Sequence, residues 1–201
     1  MPHKQLLILD LDETLMYAME PASVQDSIDD GVMQDEYDYH HDLCNYFPMI
    51  ERPYVHLMLN WAFKNFEVGV WTSASQDYAD DVVEKLMIDP QHGEPLFVYA
   101  IDRCVHKVVS AGPWSMGGHI EYIKDLKKVK KYGYARENIL VVDDTPSKWQ
   151  RDYGNLIRIP PFEGERSDLY MKKLMSYLDT LKDLDNVRTI DKRGWWKKID
   201  K

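Results

Sequence analysis

The 201-residue chain contains only two cysteines, no long apolar run and no excess of positive charge. Cys44 and Cys104 lie far apart and match neither a metal-binding nor a redox spacing, so we expect two free thiols. No apolar run approaches the ~18 residues that cross a bilayer. The apolar run that follows Lys4 is too short for a signal peptide. We therefore expect a cytoplasmic protein, in a reducing compartment, without a membrane partner.

The charge balance is acidic, with 34 acidic against 25 basic residues and a formal net charge of -9. This balance argues against a broad basic face, so nucleic acid is not expected as a partner. A local basic groove would still be compatible with it. The chain is long enough for one domain with a sizeable core.

Short apolar runs alternate with helical patterns along the chain. Strands are predicted at residues 5–9, 67–71, 96–101, 139–142 and 156–159. Helices are predicted after Arg52-Pro53, after Ser73, over residues 121–132 and around Leu174 to Leu181. This alternation favours an α/β fold with a parallel sheet, in which ligands bind beyond the carboxyl ends of the strands.

Three segments depart from this alternation within a domain expected to span residues 1–185. Residues 16–50 are rich in aspartate and predict an acidic insertion, with room for a hairpin. Residues 102–119 contain several glycines and predict a short insertion near the functional site. Residues 186–201 form a charged C-terminal tail, and the pattern does not place Trp195 and Trp196 within it.

The first predicted strand ends in the segment Asp10-Leu11-Asp12-Glu13-Thr14. In an extended chain, residues two apart point to the same side, so Asp10 and Asp12 would lie together. Two adjacent carboxylates repel each other unless a cation is near. The alternative is a pair of exposed acidic residues in a turn.

Two further strand ends carry polar side chains. Thr72 and Ser73 follow the second strand and could hydrogen-bond a phosphate oxygen, or could simply cap the next helix. Asp143 and Asp144 end another strand, where a turn or cap is again the alternative. Lys124 lies among other lysines, which could equally form a solvated face.

Taken together, these residues indicate one chemistry. Carboxylates gathered at adjacent strand ends require a divalent cation, and hard oxygen ligands with room for phosphate suit Mg²⁺. The cation and a lysine would offset the repulsion between an aspartate nucleophile and a phosphate dianion.

The same residues resemble a known family. In this order, Asp10-x-Asp12-x-Thr14, Thr72, Lys124 and Asp143-Asp144 are similar to the four motifs of the haloacid dehalogenase superfamily. More narrowly, the chain resembles the FCP/SCP branch, which is NLI-interacting-factor-like and includes phosphatases that act on phosphoserine in the tail of RNA polymerase II. The matching segments, which cover roughly residues 5 to 160, are Leu9 to Leu15, Arg52-Pro53, Trp71 to Ser75, Tyr78-Ala79-Asp80, Arg103-Cys104, Ile123 to Leu126 and Val142 to Pro146.

The resemblance implies a Rossmann-like, three-layer α/β fold with a central, mainly parallel sheet, small insertions and no large cap domain. It implies that Asp10 attacks phosphorus to form an aspartyl-phosphate and that Asp12 protonates the leaving oxygen, then activates water. Asp10, Asp143 and the backbone carbonyl of Asp12 would bind Mg²⁺, and Asp144 would support them.

The remaining roles that the resemblance implies concern the phosphate. Thr72, Ser73 and Lys124 would hold its oxygens, and Thr14 would brace the first loop. Arg103 and His106 are candidates for substrate contact, or are merely polar surface residues.

Three functions remain open at this stage. The first is a phosphoprotein phosphatase acting on phosphoserine, phosphothreonine or phosphotyrosine, because short insertions leave an open cleft that admits a peptide. The second is a phosphatase of a small metabolite or of a nucleic-acid phosphate end, although small substrates are usually buried. The third is a non-catalytic binding module, against which the intact pair of Asp10 and Asp12 argues.

Overall fold

The computed structural model describes residues 4–19, 26, 41–44, 47–88, 93–110 and 118–199. Its strands are β1 (Leu6–Leu9), β2 (Met16–Ala18), β3 (His41–Leu43), β4 (Phe47–Glu51), β5 (Glu67–Trp71), β6 (Val98–Tyr99), β7 (Val105–Ser110), β8 (Gly118–Ile123), β9 (Ile139–Asp143) and β10 (Leu156–Arg158). Its α-helices are α1 (Val55–Asn65), α2 (Gln76–Leu86), α3 (Tyr170–Asp179) and α4 (Trp196–Ile199).

The central sheet has five strands in the order β10-β9-β1-β5-β6, and every neighbouring pair is parallel. The middle strand β1 places Leu9 level with Val70 of β5 and Val142 of β9. Because the three strands run in the same direction, their carboxyl ends open at the same edge of the sheet. The predicted α/β fold with a central parallel sheet is confirmed.

Alternate residues of β1 face two separate cores. Leu7 and Leu9 belong to one apolar cluster, which also contains the buried faces of α1, α2 and α3. Leu6 and Ile8 belong to a second cluster on the other face, which contains Trp71 and other aromatic side chains. All four residues are fully buried, which explains why β1 is a continuous apolar run instead of an alternating one. The result is a three-layer arrangement.

The helices that follow Arg52-Pro53 and Ser73 lie where the sequence predicts them. The side chain of Ser75 caps α2 by accepting a hydrogen bond from the backbone N–H of Tyr78. Ala79, Val82 and Leu86 then face the core at helical spacing.

The helix predicted over residues 121–132 is wrong. Residues up to Ile123 belong to β8, which pairs antiparallel with β7 and places Glu121 opposite Lys107. A 3-10 helix over Leu126–Tyr132 follows, with the side chain of Asp125 capping its start. The lysines over residues 124–131 favour a helix, but residues 118–123 contain no lysine and pair with β7 instead. The strand predicted at residues 96–101 is also shorter, since only Val98–Tyr99 is paired.

The two predicted insertions are small antiparallel sheets where the structure describes them. Strands β2, β4 and β3 form one sheet within residues 16–50, and most of the acidic residues of that segment lie outside the described residues. Strands β7 and β8 form an antiparallel pair that begins within residues 102–119 and extends to Ile123, and residues 111–117 between them lie outside the described residues.

The C-terminal segment contributes to the core at Trp195. This side chain is buried and stacks on Tyr177 of α3 at a centroid distance of 5.2 Å. Its indole N–H donates to the backbone carbonyl of Arg158, at the end of β10, at 2.7 Å. In the part of the chain that the structure covers, no helix is both long enough and apolar enough to span a membrane.

Candidate active site

The carboxyl ends of three neighbouring strands bring the predicted polar residues together. Asp10 follows β1, Thr72 follows β5, and Asp143 ends β9. The sheet pairing continues into these positions, because the N–H of Asp10 donates to Val142 O at 3.0 Å. The N–H of Thr72 likewise donates to Tyr99 O at 2.9 Å. The backbone of each residue is therefore fixed by the rigid sheet.

Lys124 joins the first and third of these strand ends. Its Nζ lies 2.8 Å from Oδ1 of Asp10 and 2.5 Å from Oδ2 of Asp143. The side chains of Lys124 and Asp143 are fully buried, and that of Asp10 is 1% exposed. The backbone N–H of Lys124 donates to Lys148 O at 2.8 Å, which fixes the lysine at the point where β8 ends. Lys124 is thus a core ion-pairing residue and not part of a solvated lysine face.

The two bridged carboxylates differ in their electrostatics. Burial raises the pKa of Asp10, but the ammonium groups of Lys124 and Lys148 outweigh it and hold that pKa below its ordinary value. Burial and the charge of Asp10 raise the pKa of Asp143 to about 6. Asp143 also accepts hydrogen bonds from the indole N–H of Trp149 and the backbone N–H of Thr145, each at 2.8 Å. Asp10 is consequently the more acidic member of the pair.

Asp10, Asp143 and Asp144 form an acidic cluster. Each of the three offers a carboxylate oxygen within 4.8 Å of the others. Both carboxylate oxygens of Asp10 are buried, and their close side-chain contacts are the ion pairs with Lys124 and Lys148. Carboxylate oxygens gathered this closely fit a hard divalent cation such as Mg²⁺. The side chain of Asp12 lies outside this cluster, so only its backbone carbonyl could contribute to the predicted metal site.

The carboxylate of Asp12 is held by two hydroxyl groups. The phenol of Tyr78 donates to its Oδ1, and Oγ1 of Thr72 donates to its Oδ2 at 3.4 Å. Burial raises the pKa of Asp12 above its ordinary value, against the opposing effect of the Tyr78 hydrogen bond. Two carboxylates two residues apart therefore have pKa values shifted in opposite directions, as an acid and a nucleophile require.

The predicted phosphate-binding hydroxyls lie at the start of α2. Thr72 Oγ1 accepts from the backbone N–H of Ala74 at 3.1 Å, so Thr72 also shapes the turn before the helix. The hydroxyl oxygens of Ser73 and Thr14 are buried and have no hydrogen-bond partner among the described residues. The Ser73 hydroxyl lies beside the Cys104 thiol, where it opposes the rise in pKa that burial causes, so phosphate binding by Ser73 stays a prediction. Thr14 lies in the loop that follows β1.

A buried arginine holds the loop that carries Asp12. The guanidinium of Arg52 donates to Thr14 O and Pro160 O, each at 3.0 Å, and to Asp168 Oδ2 at 2.8 Å. Glu13 in this loop adopts a positive φ of 57°, a strained conformation for a residue with a side chain. Arg52 is one of the residues that resemble the FCP/SCP branch, but the resemblance implies no role for it.

Arg103 and His106 are exposed on the surface. The Arg103 guanidinium lies over the Tyr99 ring, 5.4 Å from its centroid, and is 3.3 Å from Asp102. His106 on β7 meets the ring of Tyr122 edge to face. These contacts leave substrate binding by either residue a prediction.

The sequence implies no role for three residues that lie near the strand ends. Lys148 places its Nζ 3.5 Å from Oδ2 of Asp10, while Trp149 and Tyr78 bond to Asp143 and Asp12. Burial lowers the pKa of Lys148, but the charges of Asp10 and Asp143 outweigh it and raise that pKa. Pro146 begins the 3-10 helix Pro146–Trp149. A proline at this position is the sequence feature that indicates a turn after Asp143.

Comparison with known proteins identifies the family of the chain. The sequence profile of the family described as "NLI interacting factor-like phosphatase" matches residues 5–188. A relative from Invertebrate iridescent virus 3, named "Putative CTD phosphatase-like protein 355R", is 30% identical over 186 residues, which cover 89% of this chain and 97% of the relative. A Caenorhabditis elegans relative, named "CTD nuclear envelope phosphatase 1 homolog", is 26% identical over 95% of this chain and 72% of its own length.

Among solved structures, the fold is similar to a variant of the fission yeast RNA polymerase II CTD phosphatase Fcp1 bound to beryllium fluoride. The TM-score is 0.55 at 17% identity, over 97% of this chain and 54% of the Fcp1 chain. This chain thus spans about half of that one, and at this identity the likeness establishes the fold. With a family profile matched over nearly its whole length, the chain belongs to the NLI interacting factor-like phosphatase family.

Proposed function

We propose that this chain is a Mg²⁺-dependent phosphoprotein phosphatase that works through an aspartyl-phosphate on Asp10. The observation that supports this most directly is the placement of Asp10 beside Lys124, Asp143 and Asp12. One ammonium group bridges Asp10 and Asp143, while the neighbouring Asp12 is hydrogen-bonded by hydroxyls. A binding module would have no need of two neighbouring carboxyl groups whose pKa values are shifted in opposite directions.

In the first step, a carboxylate oxygen of Asp10 attacks the phosphorus of the substrate. A P–O bond forms to Asp10, and the P–O bond to the substrate's leaving oxygen breaks with its electron pair. The carboxylic acid of Asp12 gives its proton to that oxygen, which leaves as an alcohol. The raised pKa of Asp12 keeps this proton available, and Tyr78 and Thr72 hold the carboxyl in position.

In the second step, the carboxylate of Asp12 takes a proton from a water molecule, whose oxygen attacks the phosphorus. The P–O bond to Asp10 breaks, inorganic phosphate leaves, and Asp10 regains its carboxylate. Asp12 is again protonated, so the site returns to its starting state. The same residue is therefore the acid of one step and the base of the next.

Asp10, Asp143 and the backbone carbonyl of Asp12 would hold Mg²⁺, with Asp144 in support. When bound, the cation would supply positive charge that offsets the repulsion between substrate and carboxylates. Lys124, Thr72 and Ser73 would bind the phosphate oxygens. Lys124 is well suited because its Nζ is fixed by Asp10 and Asp143 at the point where phosphorus must approach.

A phosphorylated protein is the favoured substrate class. The described parts of the two insertions are small antiparallel sheets, which supports the proposal of an open site that admits a peptide. Several relatives carry names of protein phosphatases, including the two described above. A small metabolite or a nucleic-acid phosphate end is the second candidate. The cytoplasmic location remains a prediction, since some relatives are named for the nuclear envelope.

The test is a phosphatase assay with Mg²⁺ on wild type and Asp10→Asn. The substrates are an aryl phosphate, peptides with phosphoserine, phosphothreonine or phosphotyrosine, a sugar phosphate and a 3′-phosphorylated oligonucleotide. We expect turnover highest on a peptide, loss of turnover on chelation of Mg²⁺, and no turnover in the variant. Substantial activity of Asp10→Asn would remove Asp10 as the nucleophile, and a strong preference for the sugar phosphate or the oligonucleotide would reject the phosphoprotein assignment.

A further inference from the structure

Lys148 and Lys124 contact different carboxylate oxygens of Asp10, the proposed nucleophile. Its Nζ lies 3.5 Å from Oδ2 of Asp10, whereas Lys124 contacts Oδ1 at 2.8 Å. The two lysines come from different segments, Lys124 from the end of β8 and Lys148 from the 3-10 helix Pro146–Trp149. Asp10 therefore lies between two ammonium groups.

The two lysines differ in how firmly they are held. Lys124 is fully buried and lies within 2.8 Å of both Asp10 and Asp143. The Lys148 side chain is 24% exposed, and 3.5 Å is its shortest ion-pair distance among the described residues. An ammonium group has three N–H donors. Lys148 therefore has donor capacity left for an oxygen that arrives from solvent, whereas most of that of Lys124 is already used.

The net charge of the site explains how a second ammonium group would favour binding of a phosphate dianion. In the proposed first step Asp12 carries the proton that it donates, and the carboxylates of Asp10, Asp143 and Asp144 would then contribute three negative charges, which Mg²⁺ and Lys124 together would only neutralise. A phosphate dianion approaching a neutral site gains less than one approaching a positive site. Lys148 makes the loaded site positive by one charge before the substrate arrives.

We propose that Lys148 is a further catalytic residue, whose ammonium group binds a non-bridging oxygen of the phosphoryl group during its transfer to and from Asp10. This inference rests on the proposed function. Charge in phosphoryl transfer is spread over the non-bridging oxygens, so a fixed cation beside the nucleophile stabilises the transition state. The backbone fixes the residue, because Lys148 O accepts from the N–H of Lys124 and its N–H donates to Thr145 O.

The competing explanation is that Lys148 only balances the acidic cluster until a metal binds. In that case its removal would tighten Mg²⁺ binding and leave catalysis intact once the metal is saturating. The two explanations therefore predict different results for oxyanion affinity at saturating Mg²⁺.

The experiment compares wild type with Lys148→Met, Lys148→Arg and the control Lys130→Met, which removes an exposed lysine of the same charge. Three quantities are measured for each: kcat/KM on an aryl phosphate at saturating Mg²⁺, the Kd of inorganic tungstate by calorimetry at saturating Mg²⁺, and the Kd of Mg²⁺ alone. Thermal melting checks that each variant is folded.

We expect Lys148→Met to lower kcat/KM and weaken tungstate binding by about tenfold to a hundredfold, the usual effect of one charged hydrogen bond. Lys148→Arg should restore part of both, and Lys130→Met should change neither. Unchanged kcat/KM and tungstate affinity in Lys148→Met, with tighter Mg²⁺ binding, would overturn the proposal in favour of charge balancing. Absence of turnover in wild type would instead reject the proposed function, whereas the tungstate measurement still decides whether Lys148 binds an oxyanion.

Discussion

Arg52 and Asp168 form a buried ion pair at 2.8 Å. Through Arg52, this pair connects the loop that carries Asp12 to the segment before α3. The guanidinium is fully buried, and the Asp168 side chain is only 6% exposed. Arg52 also lies over the rings of Phe162 and Tyr170 at 5.3 and 5.5 Å. One side chain thus ties together the loop after β1, the chain after β10 and the start of α3.

Replacing Arg52 by Met should destabilise the protein strongly. The change leaves the Asp168 carboxylate and two loop carbonyls without their donor, and breaking a buried pair from one side typically costs about 3–5 kcal/mol. Equilibrium unfolding in urea measures the loss. Arg193→Met is the matched control, because Arg193 pairs with Asp191 on the exposed surface, and it should leave the unfolding free energy unchanged within error. Equal effects of the two changes would mean that burial of Arg52 contributes nothing.

The positions of Asp10 and Asp143 at strand ends could be predicted because β1 and β9 are buried on both faces. Such strands are continuous apolar runs, so the first acidic residue marks the strand end without knowledge of any distant contact. Asp10 and Asp143 follow from that rule alone. The parallel order of the sheet then brings them to one edge.

Lys148 and Tyr78 could not be predicted in the same way. Each reaches its carboxylate through the geometry of a turn or a helix start, which local sequence does not specify. The strand character of residues 118–123 was missed for a related reason, since pairing of β8 with β7 depends on residues outside the segment itself. Residues 118–123 contain no lysine themselves, and the predicted helix rests on the lysines that follow, over residues 124–131.

Replacing Asp143 by Asn should remove Mg²⁺ binding. The change takes away a carboxylate of the cluster formed with Asp10 and Asp144, and divalent cations depend on ligand charge for affinity. A ligand that binds only the folded state raises the melting temperature. Wild type should therefore melt at a higher temperature in millimolar Mg²⁺, and Asp143→Asn should not respond.

Asp42→Asn is the control for that measurement, because Asp42 is an exposed acidic residue of β3. It should keep the full response to Mg²⁺. An Asp143→Asn variant that is stabilised by Mg²⁺ as much as wild type would show that the cation binds elsewhere.

Replacing Trp195 by Ala should show that the C-terminal segment is part of the folded core. The change removes the stacking on Tyr177 and the hydrogen bond to Arg158 O. Loss of a buried tryptophan typically costs about 3–5 kcal/mol. Chemical denaturation measures it, and Tyr153→Ala serves as a control for loss of an exposed aromatic side chain. If the Trp195 variant were as stable as wild type, the segment would not contribute to the stability of the domain.

Replacing Asp12 by Asn should slow phosphoryl transfer by an amount that depends on the leaving group. An alkyl oxygen, as in phosphoserine, is a poor leaving group that needs a proton, whereas a nitrophenolate leaves without one. Single-turnover rates should therefore fall far more on a phosphoserine peptide than on a nitrophenyl phosphate. In wild type, the active form of Asp12 in this step is the acid, so the rate on the peptide should also fall as the pH rises through its raised pKa.

The control for this prediction is Tyr78→Phe, which keeps Asp12 but removes one of its two hydroxyl donors. Because that hydrogen bond opposes the rise in the pKa of Asp12, its loss should move the fall in rate to higher pH. A uniform loss on both substrates in Asp12→Asn would show that Asp12 binds the phosphate or the metal instead of donating a proton. The ratio of the two losses of rate, on the peptide and on the nitrophenyl phosphate, therefore distinguishes a binding role of Asp12 from the general-acid role that its surroundings favour.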